Sequence, residues 1–176
     1  VGAVRTNFYK LGETAVAGEL DTLLGMVVEF DDCNYSANPA TRKLNSGRRI
    51  KAMWIKNDSG STLNVGECLT WKSGYAGTRV GGVTGSAGTG VGAVDPYVGS
   101  AGVADGKNFW MIIEGPGKAR SAGSISANAI LIPAATGEVT TVTNDAPGSL
   151  SACGRCVVAA TGADESIDVL WKFPGY

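Results

Sequence analysis

Asp105-Gly106-Lys107-Asn108-Phe109-Trp110-Met111-Ile112-Ile113-Glu114-Gly115-Pro116-Gly117-Lys118-Ala119 is the stretch on which the fold turns. Five consecutive apolar residues, two of them aromatic, lie between an Asp-Gly pair and a Gly-Pro-Gly triplet. A run this short, rich in aromatic and β-branched residues and bounded by turn formers, reads as a strand buried on both faces. Asp105-Gly106 is expected to turn the chain into it, and Gly115-Pro116-Gly117 to end it.

The same punctuation recurs on either side. Strands are expected at Met26–Phe30, Ile50–Asn57, Cys68–Trp71, Val91–Val94, Asn108–Glu114, Ala129–Pro133, Val139–Val142, Arg155–Ala159 and Ser166–Phe173. Residues 161–165 read as the hairpin loop between the last two. Leu20, Leu23 and Leu24 suggest at most one helical turn. Many short strands with glycine turns predict an all-β protein, a sandwich or barrel-like body, rather than βαβ units. Residues 1–48 differ from the rest, with one strand among Gly12, Gly18, Gly25, Asn38-Pro39 and Ser46-Gly47. They read as an extended N-terminal arm, ordered mainly by what it lies on, and residues 49–176 as the β-rich body.

Two segments resemble each other at an offset of 62 residues. Thr62-Leu63-Asn64-Val65-Gly66-Glu67-Cys68-Leu69 aligns with Ser124-Ile125-Ser126-Ala127-Asn128-Ala129-Ile130-Leu131, apolar positions coinciding. Gly66 matches Asn128, and glycine and asparagine are the residues that best tolerate a positive φ. One left-handed turn before a buried strand is expected in both. A common β-turn-β habit and a true duplication both account for so short a likeness.

Composition narrows the function. Glycine is 26 of 176 residues, roughly twice the usual ~7%, yet 44% of the chain is hydrophobic, which supports a folded core. Only 18% of residues are charged, so part of the surface is expected to be covered by a partner. The net charge of −1 sets up no global field for nucleic acid or membrane. Locally, Arg42, Lys43, Arg48, Arg49 and Lys51 place five cations within ten residues with no acid among them. Contact with an acidic protein neighbour is the preferred reading over phosphate contact, because aromatic interleaving is poor. No apolar run approaches the ~20 residues of a membrane helix. Val1 to Asn7 show neither a charged leader nor an apolar h-region, so no signal peptide is expected.

The chain has no histidine, which removes Ser-His-Asp and Cys-His nucleophile systems and the commonest metal ligand. Cys153-Gly154-Arg155-Cys156 is a C-x-x-C motif, but Val157-Val158 follows where a redox motif would open a helix. A zinc site would need Cys33 and Cys68 to converge on this pair without a second C-x-x-C. Small buried thiols are the expectation for all four cysteines. Gly102 to Asn108 has one residue too few between its glycines for a phosphate-binding loop and precedes a strand. Gly81 to Gly92 has glycines without the dinucleotide register and reads as a loop. Glu29, Asp31 and Asp32 read as a solvated face rather than a cation site. No catalytic, metal or cofactor-binding residues are assigned, and no enzymatic activity is expected.

Across residues 50–173 the succession of turns and strands resembles the head decoration, or cement, proteins of tailed bacteriophages. The residues that carry the likeness are Ile55 to Leu63 with Gly66-Glu67, then Val91 to Asp95, then Gly102 to Pro116, and finally Gly154 to Ala160 before a closing hairpin. The resemblance implies a non-enzymatic protein on the capsid exterior, made in the host bacterial cytoplasm, that clamps subunits of the major capsid protein. It also implies self-association, as a homotrimer in many members, without direct nucleic-acid or membrane binding. Phe8, Tyr9 and Leu11, a compact apolar group in a polar segment, are the expected arm anchors, with Arg48 and Arg49 as ion-pair candidates toward the shell. A glycan-binding module of a tail fibre or surface protein is the rival, with Trp54, Trp71, Trp110 and Trp171 as stacking platforms.

Overall fold

A computed structural model describes residues 10–16, 18–33, 44–84, 90–142 and 152–174. The protein is all-β: the described residues form ten strands and two short 3-10 turns, Asp21–Leu23 and Ala135–Gly137. The strands are β1 (Val27–Cys33), β2 (Leu44–Asn57), β3 (Cys68–Trp71), β4 (Arg79–Val83), β5 (Gly92–Val94), β6 (Asn108–Ala122), β7 (Ile130–Pro133), β8 (Val139–Thr141), β9 (Gly154–Cys156) and β10 (Ala163–Lys172).

All ten form one sheet in the order β1-β2-β4-β3-β5-β6-β10-β9-β7-β8, with further pairings β2–β6 and β6–β8. Those two pairings close the sheet twice. The first ring is β2-β4-β3-β5-β6 and the second is β6-β10-β9-β7-β8. Each is a five-stranded barrel, and β6 belongs to both.

The pivot is the Gly-Pro-Gly triplet. It does not end the strand, as the sequence reading expected; β6 runs through it to Ala122. Gly115 takes φ +107, and a Cβ there would lie 2.4 Å from the Arg49 carbonyl oxygen. The ladder to β2 shifts register between Lys51 and Ala52, opposite Glu114 and Ile112. The strand therefore bends as at a bulge and changes barrel instead of turning back. Pro116 has no N–H to donate and sits beside this irregularity, opposite Leu170.

The two barrels repeat each other in register. In the first, Met53, Trp54 and Ile55 of β2 face Met111, Trp110 and Phe109 of β6. In the second, Gly117, Lys118 and Ala119 of β6 face Val169, Asp168 and Ile167 of β10. Cys68↔Ala93 and Leu69↔Gly92 correspond to Ile130↔Arg155 and Leu131↔Gly154. The parallel pair Asn57↔Val80 corresponds to Ser121↔Val139. The bridge Leu63↔Val103 corresponds to Ile125↔Ala160. Gly66 and Asn128 are both left-handed, φ +84 and +64, at the turn before β3 and β7. The short sequence likeness is thus one visible piece of a repeat that spans both barrels.

Each barrel is filled by its own side chains. Met53, Ile55, Leu69, Val94, Phe109 and Met111 pack in the first, and Ala119, Leu131, Cys156, Ile167, Val169 and Trp171 in the second. Sizes compensate between equivalent sites. Trp171 replaces Ile113, and its ring takes the space over Gly117, where the first barrel has Met53. A Cβ on Gly117 would lie 2.5 Å from Trp171 Nε1. Close packing of this kind ties the two substitutions together.

The division at residue 48 needs correction. It falls inside β2, and β1 pairs with β2 from Val27↔Met53 to Cys33↔Leu44. Residues 10–16 and 18–33 cover the outer face of the first barrel. Leu11 and Ala15 are buried in the core, and Ala15 bridges to Asn108. Asn108 Nδ2 donates to Glu19 O and Asp21 Oδ1, and Gly25 N and Trp54 N exchange hydrogen bonds with Trp54 O and Met26 O. Phe30 meets Trp110 edge-on at 5.0 Å. The sequence reading treated this segment as separate because its glycines break every periodic pattern; the apolar partner face lay far away in the chain. Strand β4 was also missed, hidden in the glycine-dense run from Gly81.

Candidate functional site

The irregularity at Gly115 places the two barrels side by side and leaves a groove of about 530 Å³ at their junction. Glu114, the residue before the bend, has Lys51 of β2 as cross-strand neighbour on one side and Lys172 of β10 on the other. Arg48 and Arg49 extend the same wall along β2, and Arg155 of β9 closes it from the second barrel. Five cations from three strands thus meet at one place, with Glu29 and Glu114 as the carboxylates of the lining.

Their engagement differs. Arg49 lies 3.4 Å from Glu29 and 3.8 Å from Asp31, both on β1. Arg155 Nη1 donates to Asn128 O at 2.8 Å. Among the described residues, Arg48, Lys51 and Lys172 form no ion pair. The floor is Leu170, half-buried, beside the backbone of Gly115. Chemically this is a surface for carboxylates or other anions with a small apolar strip.

Beyond the junction, Arg120 on β6 binds three carboxylates: Glu67 at 3.3 Å, Glu138 at 3.1 Å and Asp164 at 2.7 Å. Glu67 is nearly buried and belongs to the first barrel, whereas Glu138 and Asp164 belong to the second. Arg120 therefore fastens one barrel to the other. Hydrogen bonds and Coulomb attraction from Asp164 and Glu138 push its pKa up despite partial desolvation, which opposes the rise. A second buried polar point is Asp95, after β5. It accepts from Gly12 N at 2.5 Å and from Tyr97 N at 2.9 Å. Burial raises its carboxyl to about 7.

Of the expected site residues, Phe8 and Tyr9 lie outside the described residues. Leu11 is 2% exposed and packs inside this chain, so its side chain is core rather than a contact for another protein. Arg48 and Arg49 are exposed on β2 and belong to the groove, but Arg49 already pairs within the chain. Of the local basic cluster, Arg42 and Lys43 also lie outside the described residues. Sequence reasoning missed Arg155 and Lys172, which join the cluster only because β9 and β10 form the second ring; the C-x-x-C motif drew attention away from the arginine inside it.

Cys68, Cys153 and Cys156 are buried thiols. A side-chain hydrogen bond with Cys153, together with burial, raises the Cys68 thiol well above its ordinary value, so Cys68 is not a ready nucleophile. Among the described residues no group of three His, Cys, Asp or Glu side chains is placed to hold a metal ion. Trp54, Trp110 and Trp171 are at most 2% exposed and Trp71 is half-buried, so the glycan reading has no coplanar exposed platform among them.

The molecule is an all-β tandem of two barrels with a basic junction groove. No protein-family model matches the chain, and no curated protein matches it. Among solved structures it is similar to the head fiber gp8.5 N base of bacteriophage phi29. The TM-score is 0.47 at 11% sequence identity, covering 70% of this chain and 94% of that one. A likeness at that level assigns neither fold nor function.

Proposed function

We propose that this protein is a structural component of a tailed-bacteriophage head that decorates the outer capsid surface and strengthens contacts between major capsid subunits. It acts by binding rather than by catalysis. The observation that carries the reading is that both barrel interiors are filled by their own side chains, which leaves function to outward surfaces. The groove at the junction spans two barrels fastened to each other by Arg120. Residues 50–173, over which the sequence resembles phage decoration proteins, coincide with the tandem barrels almost end to end. A rigid two-barrel body suits a clamp, because strain applied at one barrel reaches the other through a single continuous strand.

The test is quantitative mass spectrometry of purified virus particles from the source lysate. Copies comparable in number to the major capsid protein are the expected result. A few copies per particle would move the protein to a tail or fibre, and absence would overturn the reading.

A further inference from the structure

The groove at the barrel junction is specific enough in its chemistry to name what it takes. Five cations, Arg48, Arg49, Lys51, Arg155 and Lys172, face two carboxylates there, in a chain whose net charge is −1. The excess is local, and it is built by the fold: β2, β9 and β10 are brought together only where β6 bends. Arg48, Lys51 and Lys172 carry no carboxylate partner among the described residues, so their charge is available to an incoming anion. Glu114, cross-strand neighbour of both lysines, likewise forms no ion pair among the described residues.

We propose that this groove docks an extended acidic segment of a protein partner. In an extended chain, alternate side chains point the same way at a spacing of ~7 Å, so alternating carboxylates reach the lysines on either side of Glu114. An apolar side chain on that same side, two residues from a carboxylate, then rests on Leu170. Nucleic acid fits less well. Glu29 and Glu114 in the lining repel a continuous phosphate backbone, and Trp171, the aromatic residue of the lining, is buried and offers no face for a base to stack on. The proposal rests on the decoration reading for the partner's location and adds the chemistry of the contact.

The probe is a short fluorescein-labelled peptide with aspartate, leucine and aspartate at alternate positions and serine between them, titrated against the full chain and followed by anisotropy. Binding is expected to weaken steeply as salt rises toward ~0.5 M, where exposed charges are screened. The double variant Lys51→Glu/Lys172→Glu is expected to bind at least about tenfold more weakly, a loss of ~1.4 kcal/mol or more, while its thermal midpoint stays close to that of the parent. If the double variant fails to fold, Lys51→Gln and Lys172→Gln are compared singly, each expected to weaken binding several-fold. No binding, or equal binding by parent and variants, overturns the proposal. Tighter binding of oligothymidylate than of the peptide, lost in the same variants, overturns it in favour of nucleic acid. Co-sedimentation with virus heads separates the two levels. Heads that still bind the double variant remove the groove alone. Heads that ignore a peptide-binding protein remove the decoration reading and leave the groove.

Discussion

Trp54 and Trp110 stand directly opposite each other on β2 and β6, with ring centroids 4.9 Å apart. The corresponding cross-strand pair of the second barrel is Lys118 and Asp168, joined at 2.5 Å. The same position is apolar where β1 and the described residues before it cover it and charged where it meets water.

Trp110→Ala is expected to lower stability by about 3–5 kcal/mol, the range for truncating a buried aromatic. Lys118→Ala is expected to cost less than about 1 kcal/mol, since its ion pair is largely exposed. A chain beginning at residue 49 loses β1, Leu11 and Ala15 and uncovers both tryptophans. It is expected to lack a cooperative urea transition, with tryptophan emission shifted toward that of the unfolded chain. Normal cooperative unfolding of that truncation would restore the division into arm and body.

Arg120 offers a second contrast. Arg120→Ala leaves Glu67 charged and nearly buried in the first barrel. Removing one partner of a fully buried pair costs about 3–5 kcal/mol; because Arg120 keeps 31% of its side chain exposed, ~2–3 kcal/mol is expected. Asp164→Asn removes the shortest contact, at 2.7 Å, but Asp164 is 70% exposed, so less than about 1 kcal/mol is expected. Urea unfolding of the two variants measures both. A larger loss for Asp164→Asn would show that Arg120 serves the second barrel alone.

The sequence shows strands well and closure poorly. Asn108 to Glu114 reads as a strand because apolar residues crowd it, and the structure places a strand there. Its continuation through Gly115-Pro116-Gly117 does not show, because the residues that bend a strand are those that end one. The ring closures depend on pairings such as Asn57↔Val80 and Ser121↔Val139, which no local pattern encodes. For the same reason Arg48 and Arg49 could be suspected from their run of cations, whereas Arg155 and Lys172 become neighbours of that run only through the second barrel. Leu11 is buried in its own chain, and a compact apolar group such as Phe8, Tyr9 and Leu11 looks alike in sequence whether it waits for a partner or packs on its own chain.

The left-handed turns before β3 and β7 allow the repeat to be tested residue by residue. Asn128→Gly is expected to be neutral within about 0.5 kcal/mol, because glycine accepts φ +64 without strain. Asn128→Ala is expected to cost ~1–2 kcal/mol, the penalty of a left-handed Cβ. The reverse exchange is not symmetrical. A Cβ on Gly66 would lie 3.0 Å from the Ala119 carbonyl carbon, so Gly66→Asn is expected to cost more than Asn128→Ala does. Equal tolerance at the two positions would mean that β6 passes Gly66 at a greater distance.

Asp95 makes stability depend on pH in the direction opposite to that of a salt-bridged carboxylate. Unfolded, it releases its proton near its ordinary value of 3.8; folded, burial holds the proton to about pH 7. Between those values the folded chain binds more protons than the unfolded one, so this group's contribution falls as pH rises through the window and is flat above it. Each pKa unit corresponds to about 1.4 kcal/mol, so the fall is on the order of a few kcal/mol. Asp95→Asn keeps an acceptor for only one of the Gly12 and Tyr97 amides and is expected to cost ~1–3 kcal/mol at pH 5. Its own stability, however, should change less between pH 5 and pH 8, so that the two proteins converge as pH rises. Urea unfolding at intervals across that range measures the difference in slope. Parallel curves would mean that Asp95 is ionised in the folded chain, with the Gly12 and Tyr97 amides outweighing its burial.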